Sequence, residues 1–150
     1  MILDVGCGAN PRGDINTDFS LNELETDRTH LKVKLDVRSS VTNLPFPDNS
    51  FGTVFANGLL HHIPRIKPAI NEMIRVASDT VFGYEPHRLN WLIRRHHHYH
   101  YHYGFKKKDL YEIFRANPKV SNVQIHYVFD VAKKIPNITL QYFLLLKKEF

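Results

Sequence analysis

Residues 1–18 read MILDVGCGANPRGDINTD, and the fold turns on how this stretch is parsed. The apolar run before Gly6 has the pattern of a buried strand entering a turn. Gly6 and Gly8 follow at once; glycines in such a turn let the backbone approach a ligand closely and leave amide N–H groups to donate. DINTDF, residues 14–19, then reads as a second strand after a loop holding Pro11 and Gly13. No full helix fits between the two strands. A phosphate-binding turn needs one, because the phosphate sits on the helix N-terminus.

Working outward, LKVKLDV (31–37) alternates as a third strand, with Leu31, Val33, Leu35 and Val37 on one face. LPFPDNS (44–50) is a proline-broken loop, and FGTVFANG (51–58) a fourth strand. RIKPAINEMIRVA (65–77) places Ile66, Ala69, Ile70, Met73 and Ile74 at helical spacing. TVFGYEP (80–86) is a fifth strand stopped by Pro86. RLNWLIRR (88–95) has the pattern of a short helix, HHHYHYHYG (96–104) is compositionally biased, and KKKDLYEIFRA (106–116) is helical with Leu110, Ile113 and Phe114 inward. NVQIHYVFDV (122–131) carries Val123, Ile125, Tyr127, Phe129 and Val131 on one face, and TLQYFLLLKK (139–148) follows. These two strands are expected to pair antiparallel, a common end to an otherwise parallel sheet. The reading is α/β: one open, mostly parallel sheet in a single domain over residues 1–150, with a His/Tyr-rich insertion at about 88–108.

The bulk numbers agree with one soluble, cytoplasmic domain: 43% hydrophobic, 23% charged, a single cysteine, and no apolar run of membrane-spanning length. The net charge of +5 lies entirely in the second half. Residues 1–75 carry 8 Lys+Arg against 9 Asp+Glu, and residues 76–150 carry 12 against 6. Such asymmetry marks either a solvated basic surface or an anionic partner.

In open α/β sheets ligands bind beyond the carboxyl ends of the strands. The residues expected there are Gly6, Gly8, Asp18, Asp36, Asn57 and Glu85. A carboxylate ending the second strand accepts two hydrogen bonds from a ribose diol, and one after the third accepts from an adenine amino group. The dinucleotide spacing G-x-G-x-x-G fails, because the glycines stand at 6, 8 and 13. A phosphate-free cofactor fits better, and S-adenosylmethionine is one.

The motifs carry a resemblance. LDVGCGAN resembles motif I of the class I S-adenosylmethionine-dependent methyltransferases, with Asn10 where the last glycine would stand. LDVRSSVTNLPFPDNSFGTVFANGLLHHI resembles the segment that follows in their small-molecule, type-11 subgroup. The resemblance covers residues 1 to about 87 and implies a Rossmann-like fold, here shortened at the N-terminus. It implies that Gly6 and Gly8 line the methionine moiety, supported by Asp4 and near Asn10. It implies that Asp18 holds the ribose, Phe19 packs on adenine, Asp36 receives the adenine amino group with the Val37 amide nearby, and Asn57 sits near the transferred methyl. Departures are Gly52 in place of an aspartate, ASDT (77–80) in place of a Pro-Gly-Gly turn, and a start inside the first strand. The second is expected to alter only a loop.

Methyl transfer from a sulfonium is an in-line displacement, served by alignment and, for hydroxyl or carbon acceptors, a base. Base candidates are His61, His62, Glu85 and His87; His61 and His62 alternatively shape only a turn. The tract RRHHHYHYHYGFKKK is expected to be a lid over an acceptor pocket, or a basic, aromatic surface for RNA. No metal site is expected, since the histidines alternate with tyrosines and no acidic or cysteine ligand lies among them. The function expected is methyl transfer to a small-molecule or unidentified acceptor, releasing S-adenosylhomocysteine. The alternatives are an RNA methyltransferase using the basic half and a cofactor-binding scaffold without activity. A homodimer or partner subunit is expected to cover the open N-terminal side.

Overall fold

The computed structural model describes residues 1–8, 10–19, 36–88, 104–130 and 137–147. Seven strands form one sheet in the order β3-β2-β1-β4-β5-β7-β6. They are β1 (Ile2–Val5), β2 (Ile15–Asp18), β3 (Val37–Arg38), β4 (Phe51–Asn57), β5 (Ala77–Pro86), β6 (Val120–Asp130) and β7 (Asn137–Leu146). The first five run parallel, and β7 is antiparallel to both β5 and β6. Between β1 and β2 no helix occurs among the described residues. Of the expected third strand, residues 31–35 lie outside the described residues, as do most of the 88–95 helix and all of the histidines of the 96–102 tract.

Among the described residues, two helices pack on one face: α1 (Ile66–Val76) and α2 (Lys107–Arg115). α1 buries Ala69, Ile70, Met73, Ile74 and Val76, the face its sequence spacing predicts. Pro68 lies in its first turn, where the missing N–H has no intrahelical partner to lose. Leu110 and Phe114 of α2 join Leu3, Val5, Val54, Ala56, Val81, Tyr142 and Leu144 in one core. On the opposite face Phe55, Phe82, Tyr84 and Phe143 make a connected set of ring contacts. Ile2 and Leu145 on that face are 41% and 39% exposed.

Two expectations are corrected. ASDT is not a loop: α1 ends at Val76, the backbone of Ala77 is already extended, and residues 77–80 begin β5. With no proline or glycine to turn the chain, the extra length is taken up by a register shift, Phe51 pairing Ala77 and Thr53 pairing Thr80. Gly52 falls at this shift, where a Cβ would lie 3.8 Å from Asp79 Oδ2. An aspartate at 52 would crowd a second carboxylate there. The other correction concerns Tyr127, which shares a strand face with Val123 and Ile125 yet is 46% exposed. Its ring instead meets His87 edge-on at 5.7 Å and lies 5.4 Å from Lys107 Nζ.

Candidate functional site

A cavity of about 580 Å³ opens beyond the carboxyl ends of β1, β2 and β3, a size ordinary for a small-molecule site. Its wall includes Gly6, Asp18, Phe19, Ser39, Leu59 and His62. Gly6 and Gly8 both hold positive φ, +64° and +53°, a backbone that L side chains rarely adopt. At Gly6 a Cβ would meet the Leu59 side chain at 2.5 Å, while at Gly8 the space is open. The chain therefore keeps a cradle here that any other residue would begin to fill. Asp18 Oδ2 accepts from Gly8 N–H at 2.9 Å, tying the turn after β1 to the end of β2.

The loop between these strands is held without a helix. Asp4, buried, accepts from Arg12 N–H at 2.8 Å. Burial raises the Asp4 carboxyl above its usual value; the Arg12 amide and charge oppose that rise, and the neighbouring Asp18 adds to it. Asn16 exchanges hydrogen bonds with the Gly13 backbone in both directions. Arg12 then lays its guanidinium over the Phe55 ring, 5.7 Å from the centroid. Asn10 is exposed, its N–H donating to Cys7 O. Cys7 lies buried in the turn, its thiol pushed up to about 11 by burial and by the charges of Asp4, Asp18 and Asp36.

The family model described as a methyltransferase domain matches residues 3–80, more than half of the chain. The chain belongs to the methyltransferase domain family. Its methyltransferase fold recurs in an S-adenosylmethionine-dependent methyltransferase of Thermotoga maritima, at TM-score 0.73 and 15% identity over 97% of this chain and 82% of that one. It recurs in the Haloferax volcanii protein solved in complex with the Trm112 methyltransferase activator, at TM-score 0.70 and 15% identity over 99% and 82%. An uncharacterized protein of Methanocaldococcus jannaschii is 34% identical over 83 residues. Those residues are 53% of this chain and only 36% of that protein, so the methyltransferase chain spans about a third of the curated relative's length.

Around this cavity the expected residues divide. Gly6, Asp18, Phe19 and His62 share the cavity wall. Asp36 does not lie at the end of a strand: it precedes β3, and its Oδ2 accepts from Asn16 N and Nδ2 at 2.9 and 3.0 Å. Val37 likewise begins β3 rather than ending it. The pairing Thr17–Val37 and Asp18–Arg38 sets that register, so Ser39 and Ser40 occupy the strand's end. Asn57 is exposed at the end of β4, outside the cavity lining.

Glu85 lies outside the cavity lining. It is fully buried on β5. Its Oε1 accepts from Leu59 and Leu60 N–H at 2.9 and 2.7 Å, and Oε2 from His61 N–H at 3.2 Å and lies 2.9 Å from His61 Nδ1. Both oxygens thus hold the 3₁₀ turn Leu60–His62, which presents Leu59 and His62 to the cavity. His61 is turned toward Glu85, and its ring lies tilted by 40° against that of His62, centroids 3.9 Å apart. His87 is buried beside Tyr127, outside the cavity lining; burial, then Arg88, holds it below the usual histidine range.

Sequence reasoning missed Ser39 and Arg75. Arg75 donates to both Glu72 oxygens, to Asp48 Oδ1 and to the carbonyls of Leu44 and Phe46, which lashes the LPFPD loop onto α1. Those contacts hold the Glu72 carboxyl below its ordinary value. Glu72 and Arg75 stand three apart, a helical pair that the sequence does display.

Proposed function

We propose that this chain binds S-adenosylmethionine in the cavity beyond β1–β3 and directs its methyl group to a small-molecule acceptor. The observation that carries the reading is the joint made by Asp18 and Gly8 N–H beside a cavity of about 580 Å³ lined by Asp18 and the positive-φ Gly6. The residues fit the cofactor: Gly6 and Gly8 leave room for the methionine end, Asp18 offers a carboxylate to the ribose diol, and Phe19, 68% exposed, offers a ring face. When bound, the cofactor supplies an electrophilic methyl on a cationic sulfonium. The chain holds the reactants in line and excludes water between them. Among the base candidates, His62 alone lines the cavity, and it is the side chain assigned to receive the acceptor's proton. His61 and Glu85 act through it by fixing the turn.

Calorimetry with S-adenosylmethionine tests the binding step. Wild type is expected to bind, and Asp18→Asn to weaken binding roughly 10–100-fold, the range for hydrogen bonds to a charged group. Equal affinity in both would sink the assignment. A tritiated-methyl assay on metabolite, protein and RNA pools then identifies the acceptor; binding with no transfer in any pool would leave the scaffold reading.

A partner subunit is the second reading, carried by the exposed Ile2 and Leu145 beside the ring cluster on the sheet face that, among the described residues, carries no helix. The Haloferax protein's complex with an activator is in keeping with it. Light scattering of the purified chain distinguishes a homodimer from a monomer that awaits another protein.

A further inference from the structure

The side chains of α2 are sorted by charge around the helix. Leu110 and Phe114 are buried, and Ile113 packs partly against the core. Lys107, Tyr111 and Arg115, each four residues from the next, form one stripe beside that buried face. The stripe runs along β6: Lys107 Nζ lies 5.4 Å from the Tyr127 ring centroid, and Arg115 Nη1 donates to Ser121 O at 3.2 Å. The two acids of the helix lie elsewhere. At about 100° per residue, Asp109 stands roughly 160° from Tyr111 and Glu112 roughly 100° from it. Glu112 Oε1 is 3.8 Å from Lys108 Nζ. β6 is the edge strand of the sheet and holds no acidic residue between Val120 and Phe129. Two rings are therefore left half in water among cations: Tyr111 is 43% and Tyr127 46% exposed, and Lys106 adds an exposed charge at the head of the stripe.

We propose that the α2–β6 surface binds single-stranded nucleic acid, with the tyrosines stacking on unpaired bases and Lys106, Lys107 and Arg115 meeting phosphates. Aromatic rings set beside Lys and Arg hold single strands with little regard to sequence, because every base has a π-face. An acidic peptide would match the charge but give the rings no planar partner. A duplex would keep its base faces stacked on one another. The surface lies on the opposite edge of the sheet from β3, so the inference does not depend on the cofactor reading of the cavity beyond β1–β3.

The test is fluorescence anisotropy of the full chain with labelled oligouridylate and oligodeoxythymidylate of about 12 nucleotides, within the site sizes of such platforms. Wild type is expected to bind both, since ring stacking and phosphate contacts do not read the sugar. Its affinity should fall roughly 20-fold between about 50 and 200 mM salt, the loss for three neutralised phosphates on a single strand. Tyr111→Ala and Tyr127→Ala should each weaken binding at least about fivefold. Tyr127→Phe, which keeps the ring, should bind like wild type. Lys107→Gln combined with Arg115→Gln should flatten the salt dependence to about that of one phosphate. Tyr111 stands on the exposed side of α2, so Tyr111→Ala carries the test if Tyr127→Ala fails to fold by circular dichroism. Failure of wild type to bind either oligomer at low salt would overturn the assignment. So would salt-insensitive binding, unchanged affinity in Tyr111→Ala, or polyglutamate bound as tightly as the oligomers.

Discussion

Glu85 offers the sharpest test of how the site is held. Its carboxylate is fully buried and meets three backbone N–H groups and one imidazole nitrogen between 2.7 and 3.2 Å. Glu85→Ala strands those donors. Each unsatisfied buried group costs about 1–3 kcal/mol, but Leu59 and His61 are partly exposed, so water relieves some of the loss. Removing the buried charge also returns its desolvation cost. Balancing these, destabilisation of about 3–5 kcal/mol is expected, the range for breaking a buried charge network. For a chain of this length that is a fall of roughly 9–15 °C in unfolding temperature. Glu85→Gln keeps one acceptor oxygen for Leu59 and Leu60 but turns an NH₂ toward the His61 amide, so about 1–3 kcal/mol is expected. Urea unfolding followed by circular dichroism measures both. An alanine variant within about 1 kcal/mol of wild type would refute the anchoring role.

Other perturbations probe the remaining parts. Gly6→Ala forces a strained positive φ and pushes Leu59 into the cavity, so cofactor affinity should fall at least about tenfold, read by calorimetry. With the Cys7 thiol at about 11 rather than 9.0, its thiolate fraction at pH 8 is about 100-fold lower, and alkylation by iodoacetamide should slow by a similar factor against a free-cysteine peptide. Because burial depresses His87 in the folded state, the unfolded chain takes up its proton first as pH falls below about 6.5. Stability should therefore drop from pH 7.5 to pH 5.5, and a His87→Gln variant should show a shallower drop in urea midpoint. Arg75→Lys loses the two-pronged contact with Glu72 and should destabilise by about 1–3 kcal/mol in the same assay.

The sheet was legible wherever hydrophobic period and punctuation agreed. The glycine turn after Ile2–Val5, the stripe of α1 and the paired C-terminal strands all follow from spacing alone. The ASDT segment was not, because a helix that passes straight into a strand leaves no turn residue to mark the boundary. The residues expected around the cavity divide similarly. Asp18 stands at the end of β2, the strand that the sequence reading places there. Asp36 misleads because the register of β3 is set by backbone pairing with Thr17 and Asp18, which shifts the strand's end past it to Ser39. Glu85 was read as chemistry since a carboxylate at a strand end looks alike whether it faces a ligand or three amides. Only the fold of the Leu59–His62 turn over it separates the two.

At the far end of β5, His87 bridges to Phe105; Arg88 N–H donates to Phe105 O and Phe105 N–H to Pro86 O at 3.1 and 3.0 Å. The two ends of the 89–103 stretch are thus stapled together at the sheet's rim. Lengthening or replacing what lies between them changes the closure entropy only logarithmically, by about 0.6 kcal/mol per doubling. The staple itself is made by backbone groups, so it does not depend on the side chains at Pro86, Arg88 and Phe105.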